Sequence, residues 1–133
     1  VENEIHVPIN SDQDIVAARQ KGRSMAVALG FSSGDATLIA TAISELARNI
    51  VTYAKSGEIQ IAVINGAARR GIQLVAHDEG PGIPDIPQAL RLGFSTSGSL
   101  GLGLPGVKRL VDEFEIESAE SCGTTVTAKK WKP

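Results

Sequence analysis

With 133 residues the chain has length enough for one hydrophobic core and is expected to form a single domain over residues 1–133. Its 13 basic and 15 acidic residues give a net charge of -2, and with 4% aromatic residues nothing marks a nucleic-acid surface. The single cysteine, Cys122, excludes an internal disulfide, and no apolar run approaches a membrane span.

The predicted elements follow in chain order. Ile5, Val7 and Ile9 alternate as a first strand. Ser11 or Asp12 is placed to cap a first helix, with Ile15, Ala18, Gly22, Met25 and Leu29 on one stripe and Gly30 at its end. Ser32, Ser33, Gly34 and Asp35 make a second cap cluster. The helix after it is expected to run to about Ala54, burying Ile39, Ile43, Leu46, Ile50 and Tyr53. Two alternating strands follow, Ile59–Ile61–Val63 and Ile72–Leu74–Ala76, joined by a basic turn from Gly66 to Gly71.

After Asp78 comes a glycine-proline loop from Glu79 to Pro84, then a short helical piece near Pro87 to Leu92. Gly93 to Gly103 read as a loop rich in Gly and Ser. A third helix is expected to bury Leu104, Val107, Val111 and Phe114, with Pro105 in its first turn. Strands at about Glu115 to Ala119 and Thr124 to Trp131 flank a Cys122–Gly123 turn. Adjacent strand pairs among helices indicate an α+β two-layer sandwich. Its sheet is expected to be mixed but mostly antiparallel, with about three helices on one face.

Four constellations carry chemistry. Glu45 and Asn49 stand one helical turn apart on a face flanking the apolar stripe. Taken alone they read most simply as an interhelix hydrogen bond and a solvated carboxylate. Asp78 continues the inward phase of its strand, so its carboxylate needs a partner, and Gly80 and Gly82 allow close approach beside it. An Asp-capped turn competes with a ligand site there.

The third constellation is Gly101-Leu102-Gly103-Leu104-Pro105-Gly106, which matches G-x-G-x-x-G but does not follow a strand or open a βαβ unit, so a dinucleotide fingerprint is rejected. A P-loop is rejected too, because Val107 stands where its lysine belongs. Backbone amides running into a helix start still favour phosphate, as weighed against a plain flexible connection. Lys108 and Arg109 follow in the next turn. The fourth constellation is Gly123-Thr124-Thr125 at the head of the last strand, good strand material that also offers a hydroxyl to a ligand. His6 and His77 fall on polar strand phases and are read as surface residues, with no metal cluster.

ExxxN on a helix, DxGxG after a strand, a Gly-rich lid ending in GxGL and a late GT resemble one fold. It is the Bergerat-type ATP-binding fold of gyrase, the 90-kDa heat-shock chaperone, histidine kinases and mismatch-repair ATPases. The strings ISELARNI (43–50), DEGPGIPD (78–85) and GFSTSGSLGLGLPGVKRLVDEF (93–114) resemble more closely the RsbT class of switch serine/threonine kinases.

That resemblance implies a kinase using ATP and Mg²⁺. It makes Asn49 the Mg²⁺ ligand, Glu45 the residue that activates or orients the attacking hydroxyl, and Asp78 the acceptor for the adenine amino group. Gly80 and Gly82 underlie the adenine, while Gly101 and Gly103, with Leu102 and Leu104, form the phosphate cradle. Ser95, Thr96, Ser97 and Gly98 belong to the lid over the nucleotide, and either Thr124 or Thr125 lies near the adenine.

The implied substrate is a STAS-domain antagonist or scaffold protein within a large sensory complex, the stressosome. The second implied partner is a PP2C-type phosphatase, activated on release, which frees a sigma factor in a stress response. Neither nucleic acid nor membrane is an expected partner. A cytoplasmic location is expected, since Val1 to Glu4 show no leader-like start. The competing readings are a partner-docking module with an ATP site but no essential kinase activity, and a detached histidine-kinase catalytic domain.

Overall fold

A computed structural model describes residues 2–80, 103–118 and 123–133. Strand β1 (Glu2–Ile9) leads into helix α1 (Asp12–Leu29). At the start of α1, Ser11 occupies the cap position, while the Asp14 carboxylate reaches back to accept the Asn10 N–H at 2.8 Å. Gly30, at φ +94°, turns the chain out of α1.

Helix α2 (Ser33–Asn49) starts where the Ser32 hydroxyl accepts the Asp35 N–H at 3.1 Å. It packs between α1 and the later helix α3 (Gly103–Leu110). Consequently every residue from 42 to 47 is buried, on all sides of the helix rather than on one stripe.

The last predicted turns of this helix differ from expectation. Beyond Asn49 the chain winds as a π-helical turn, Ile50–Ala54, ending at Lys55 with φ 73°. A π turn takes more residues per revolution, so the 3.6-residue stripe loses phase after Ile50. Ile50 stays buried, whereas Tyr53, predicted to be buried, is 48% exposed.

Strands β2 (Gly57–Asn65) and β3 (Arg70–Asp78) form the predicted hairpin. Strands β4 (Glu113–Ser118) and β5 (Thr124–Trp131) complete a sheet of order β1-β2-β3-β5-β4, in which all four described pairings are antiparallel. Phe114 does not extend α3, as its spacing predicts. That helix stops at Leu110, and Phe114 pairs with Ala128 inside β4. The bend between them is tied down by Asp112, whose N–H donates to Lys129 O and whose carboxylate accepts the Trp131 N–H. The predicted loop and helical piece over residues 81–100, and Ala119 and Cys122, lie outside the described residues.

Register aligns the apolar side chains in rows. Val7, Ile59, Ala76, Val126 and Ile116 form one row across all five strands, and Ile5, Ile61, Leu74, Ala128 and Phe114 form the next. These rows face Ile39, Ile43 and Leu46 of α2 and Ile15 and Ala18 of α1 in a single core. Burying each large aliphatic side chain contributes roughly 1.5–3 kcal/mol, so the helix-covered face dominates the stability. This is the expected two-layer sandwich, with the described sheet antiparallel throughout rather than mixed.

Candidate functional site

One further step along the same face, the row changes character. It reads Ile9, Gly57, Asp78, Thr124 and Ser118, from β1 to β4. Asp78 is half-buried at the end of β3, and its Oδ1 accepts the Gly80 N–H at 2.9 Å. Thr124 stands directly across from it, and the Thr124 and Ser118 hydroxyl oxygens are 2.8 Å apart. Ser118 also donates to Gly123 O at 3.0 Å. The helix-facing surface thus ends in a carboxylate and two linked hydroxyls.

The two threonines separate cleanly. Thr125 points to the opposite face, where its Oγ1 lies 2.7 Å from Nδ1 of His77, its cross-strand partner. Counting alternation from Asp78 does not reveal this, because it depends on the β3–β5 register. His6 and His77 are about half-exposed, as predicted.

Glycines bring the backbone segments of this corner together. A Cβ on Gly80 would sit 2.6 Å from Cβ of Ala54 in the π turn, and one on Gly57 would sit 2.9 Å from Cγ2 of Ile50. The bare α-carbon of Gly80 therefore seats the π turn against the end of β3. Gly123 has φ +78°, and a Cβ there would lie 2.1 Å from Asp78 O. These contacts set the π turn that follows α2 against Asp78 at the end of β3.

At the C-terminal end of α2 stand Glu45 and Asn49. Asn49 closes α2 and is partly buried. Glu45 is 4% exposed, which overturns the simple expectation of a solvated carboxylate. Its burial follows from α1 and α3 flanking α2, a tertiary fact that helical spacing does not carry. Nη1 of Arg48 donates to Glu45 Oε1 across 2.6 Å, within the charge-assisted range. Sequence reasoning missed Arg48. Its i+3 spacing from Glu45 was the available signal.

Gly103 opens α3, and Leu104 in the first turn is buried in the core. Gly82, Ser95, Thr96, Ser97, Gly98, Gly101 and Leu102 lie outside the described residues.

A half-buried carboxylate acceptor beside two linked hydroxyls is chemistry compatible with a nucleotide base. Among the described residues no group of three or more His, Cys, Asp or Glu side chains is arranged to hold a metal. A single amide oxygen such as that of Asn49 suits Mg²⁺, which keeps several waters and takes phosphate oxygens. Among the described residues no helix is long and apolar enough to cross a membrane.

Comparison with known proteins shows the family and the fold. Residues 34–133 match the family model described as histidine kinase-, DNA gyrase B-, and HSP90-like ATPase. The chain is 54% identical over 125 residues to the serine/threonine-protein kinase RsbT of Bacillus subtilis (strain 168), covering 94% of each. It is 30% identical to the anti-sigma F factor of Geobacillus stearothermophilus, over 96% of this chain and 92% of that one.

Two solved structures share the fold. One holds the RsbU and RsbW domains of a Mycobacterium tuberculosis protein (TM-score 0.66, 19% identity, 98% of this chain and 33% of that one). The other is the mycobacterial sensor histidine kinase MprB (TM-score 0.58, 21% identity, 96% of this chain and 98% of that one). With a family model spanning most of its length and a relative more than half identical from end to end, the chain belongs to the histidine kinase-, DNA gyrase B- and HSP90-like ATPases, in the branch of the RsbT-type switch kinases.

Proposed function

We propose that this chain is a Mg·ATP-dependent protein serine/threonine kinase. Its substrate is a STAS-domain antagonist protein, and its second partner is a PP2C-type phosphatase that it activates when released, in a pathway controlling a sigma factor. The observation that carries the activity is the buried Glu45 carboxylate one turn before Asn49, in a chain 54% identical to a serine/threonine-protein kinase.

Phosphoryl transfer asks mainly for positioning and charge stabilisation. Mg·ATP, when bound, supplies the transferable phosphoryl group and the divalent charge that offsets it. Asn49 would hold the ion through its amide oxygen. Asp78 receives the adenine amino group, with the Thr124 hydroxyl, rather than that of Thr125, on the same side. Glu45 accepts the proton of the attacking serine or threonine hydroxyl, a role that typically contributes about 10²–10⁴-fold to rate. In this proposal the amides around Gly101 and Gly103 would supply donors for the phosphates, and Ser95 to Gly98 would belong to the lid, as the family resemblance implies.

The test incubates the purified chain with labelled Mg·ATP and a purified STAS-domain protein. Label on the STAS protein that survives acid is the expected result. Acid-labile label would point instead to phosphohistidine, and no label on it would remove the substrate assignment. Glu45→Ala should lose transfer while still binding nucleotide. The 30% identity to anti-sigma F factors favours a second, binding use of the same surface. Phosphatase activation that persists in Asn49→Ala would separate the two uses.

A further inference from the structure

We infer that Arg48 is a positioning residue for phosphoryl transfer, acting through Glu45. The inference rests on the proposal that Glu45 receives the proton of the attacking hydroxyl. Three residues of one helical turn are involved: Glu45, Arg48 at i+3 and Asn49 at i+4. They project on the same side of α2, so the base, its cationic neighbour and the metal-holding amide share one surface.

Glu45 is a carboxylate with a side chain only 6% exposed. Removing such a charge from water is costly unless an ion pair and hydrogen bonds replace the lost hydration. Arg48 supplies such a bond at 2.6 Å from Nη1 to Oε1. The guanidinium is not itself sealed in, because its side chain is 39% exposed. The pair therefore spans the boundary between the core and the accessible side of the helix.

The geometry has a directional consequence. A carboxylate offers about four lone-pair sites on two oxygens. The bond from Nη1 occupies one oxygen, Oε1, and so holds that end of the carboxylate in place while leaving the lone pairs of the other oxygen to further partners. An incoming hydroxyl must then meet a lone pair already aimed, and misaligned proton acceptors forfeit much of their rate advantage. Lysine keeps the charge but presents a compact, rotatable head in place of the rigid fork, so it holds that oxygen less strictly.

The test measures single-turnover transfer to the STAS-domain protein that the wild-type chain phosphorylates. Arg48→Lys should lower kcat about 10-fold and Arg48→Met about 100-fold, with KM for Mg·ATP changed less than about twofold. The pH dependence of kcat should move in both variants. Because Arg48→Met leaves a buried carboxylate without this partner, it is paired with the double variant Glu45→Gln/Arg48→Met, which removes the charge as well. The double variant should match Glu45→Gln in rate to within about twofold, since Arg48 then has nothing to aim.

Wild-type kcat and an unmoved pH profile in a folded Arg48→Lys protein would overturn the inference. So would a further loss of 10-fold or more in the double variant, on the order expected of an independent contact. The two readings fail differently. Wild-type transfer by Glu45→Gln removes the base assignment and Arg48 with it. An inactive Glu45→Gln beside a fully active Arg48→Lys removes Arg48 alone.

Discussion

Asp78 and Thr124 stand opposite each other across the β3–β5 pairing, on the helix-covered side of the sheet. Their neighbours one residue away, His77 and Thr125, form the matching pair on the other side. The two faces therefore offer a direct contrast. Thr124→Val should weaken binding of a fluorescent ATP analogue about 10-fold, the value of one hydrogen bond of roughly 1–1.5 kcal/mol. Thr125→Val should leave that titration unchanged. Equal effects from both would mean that the row containing Asp78 is not the adenine side.

Asp78→Asn separates folding from recognition. The asparagine amide oxygen can still accept the Gly80 N–H that Asp78 Oδ1 accepts at 2.9 Å, so the turn survives. What it loses is the anionic acceptor. Nucleotide affinity should fall by at least about 10-fold while the urea midpoint barely moves, following the greater strength of hydrogen bonds to charged groups.

Gly123→Ala should fail for a backbone reason. Its φ of +78° disfavours any side chain, and the added methyl would lie 2.1 Å from Asp78 O. Strain plus overpacking should lower stability by about 2–4 kcal/mol, read as a reduced urea midpoint at unchanged m-value.

Trp131 closes the far end of β5. Its indole N–H donates to Glu113, its ring lies 5.4 Å beneath the Arg69 guanidinium, and it covers Gly66 and Gly71. Trp131→Ala should destabilise by about 2–3 kcal/mol, somewhat under the usual cost for a fully buried aromatic. Nucleotide affinity should hold, because Trp131 pairs with Gly71, at the opposite end of β3 from Asp78. A large affinity loss in the folded variant would contradict that separation.

His6 links the edge strand to its neighbour and responds to pH. The hydrogen bond with Glu4 raises its pKa most, and Glu58, 3.0 Å from Nδ1, raises it further. Protonation is thus favoured more in the folded chain than in the unfolded one. The stabilisation is fully present below the unfolded value of about 6.5 and is lost as pH rises through the higher folded value. Melting of the wild-type chain between pH 5.5 and 8.5 should show this loss, on the order of the window set by those values, and His6→Gln should abolish it. An identical profile in the variant would discount the pair.

The sheet was largely legible because Ile59, Ile61 and Val63, and Ile72, Leu74 and Ala76, alternate with period two and lie in helix-facing rows. Phe114 was ambiguous for a physical reason: it continues the spacing of Val107 and Val111 and equally begins the alternation with Ile116. The Asp112 anchor and the pairing of Phe114 with Ala128 in β5 decide between them. Tyr53 misled because a π turn leaves no mark in apolar spacing. The residues proposed for the site, Glu45, Asn49, Asp78 and Thr124, stand out in the sequence by type and spacing. The burial of Glu45 and the opposite faces taken by Thr124 and Thr125 required neighbours distant in sequence.

Strand β5 enters the sheet between β3 and β4 rather than at an edge. Until it docks, β4 has no strand beside it and Asp78 lacks Thr124 across from it. The corner that gathers Gly57, Asp78, Thr124 and Ser118 is accordingly completed only through the β3–β5 pairing, which joins two local hairpins across a long sequence separation. A partly folded chain presents no such corner. Any ligand that grips it selects the completed fold, and at saturating concentration makes unfolding harder by mass action, so ligand occupancy doubles as a check on chain integrity.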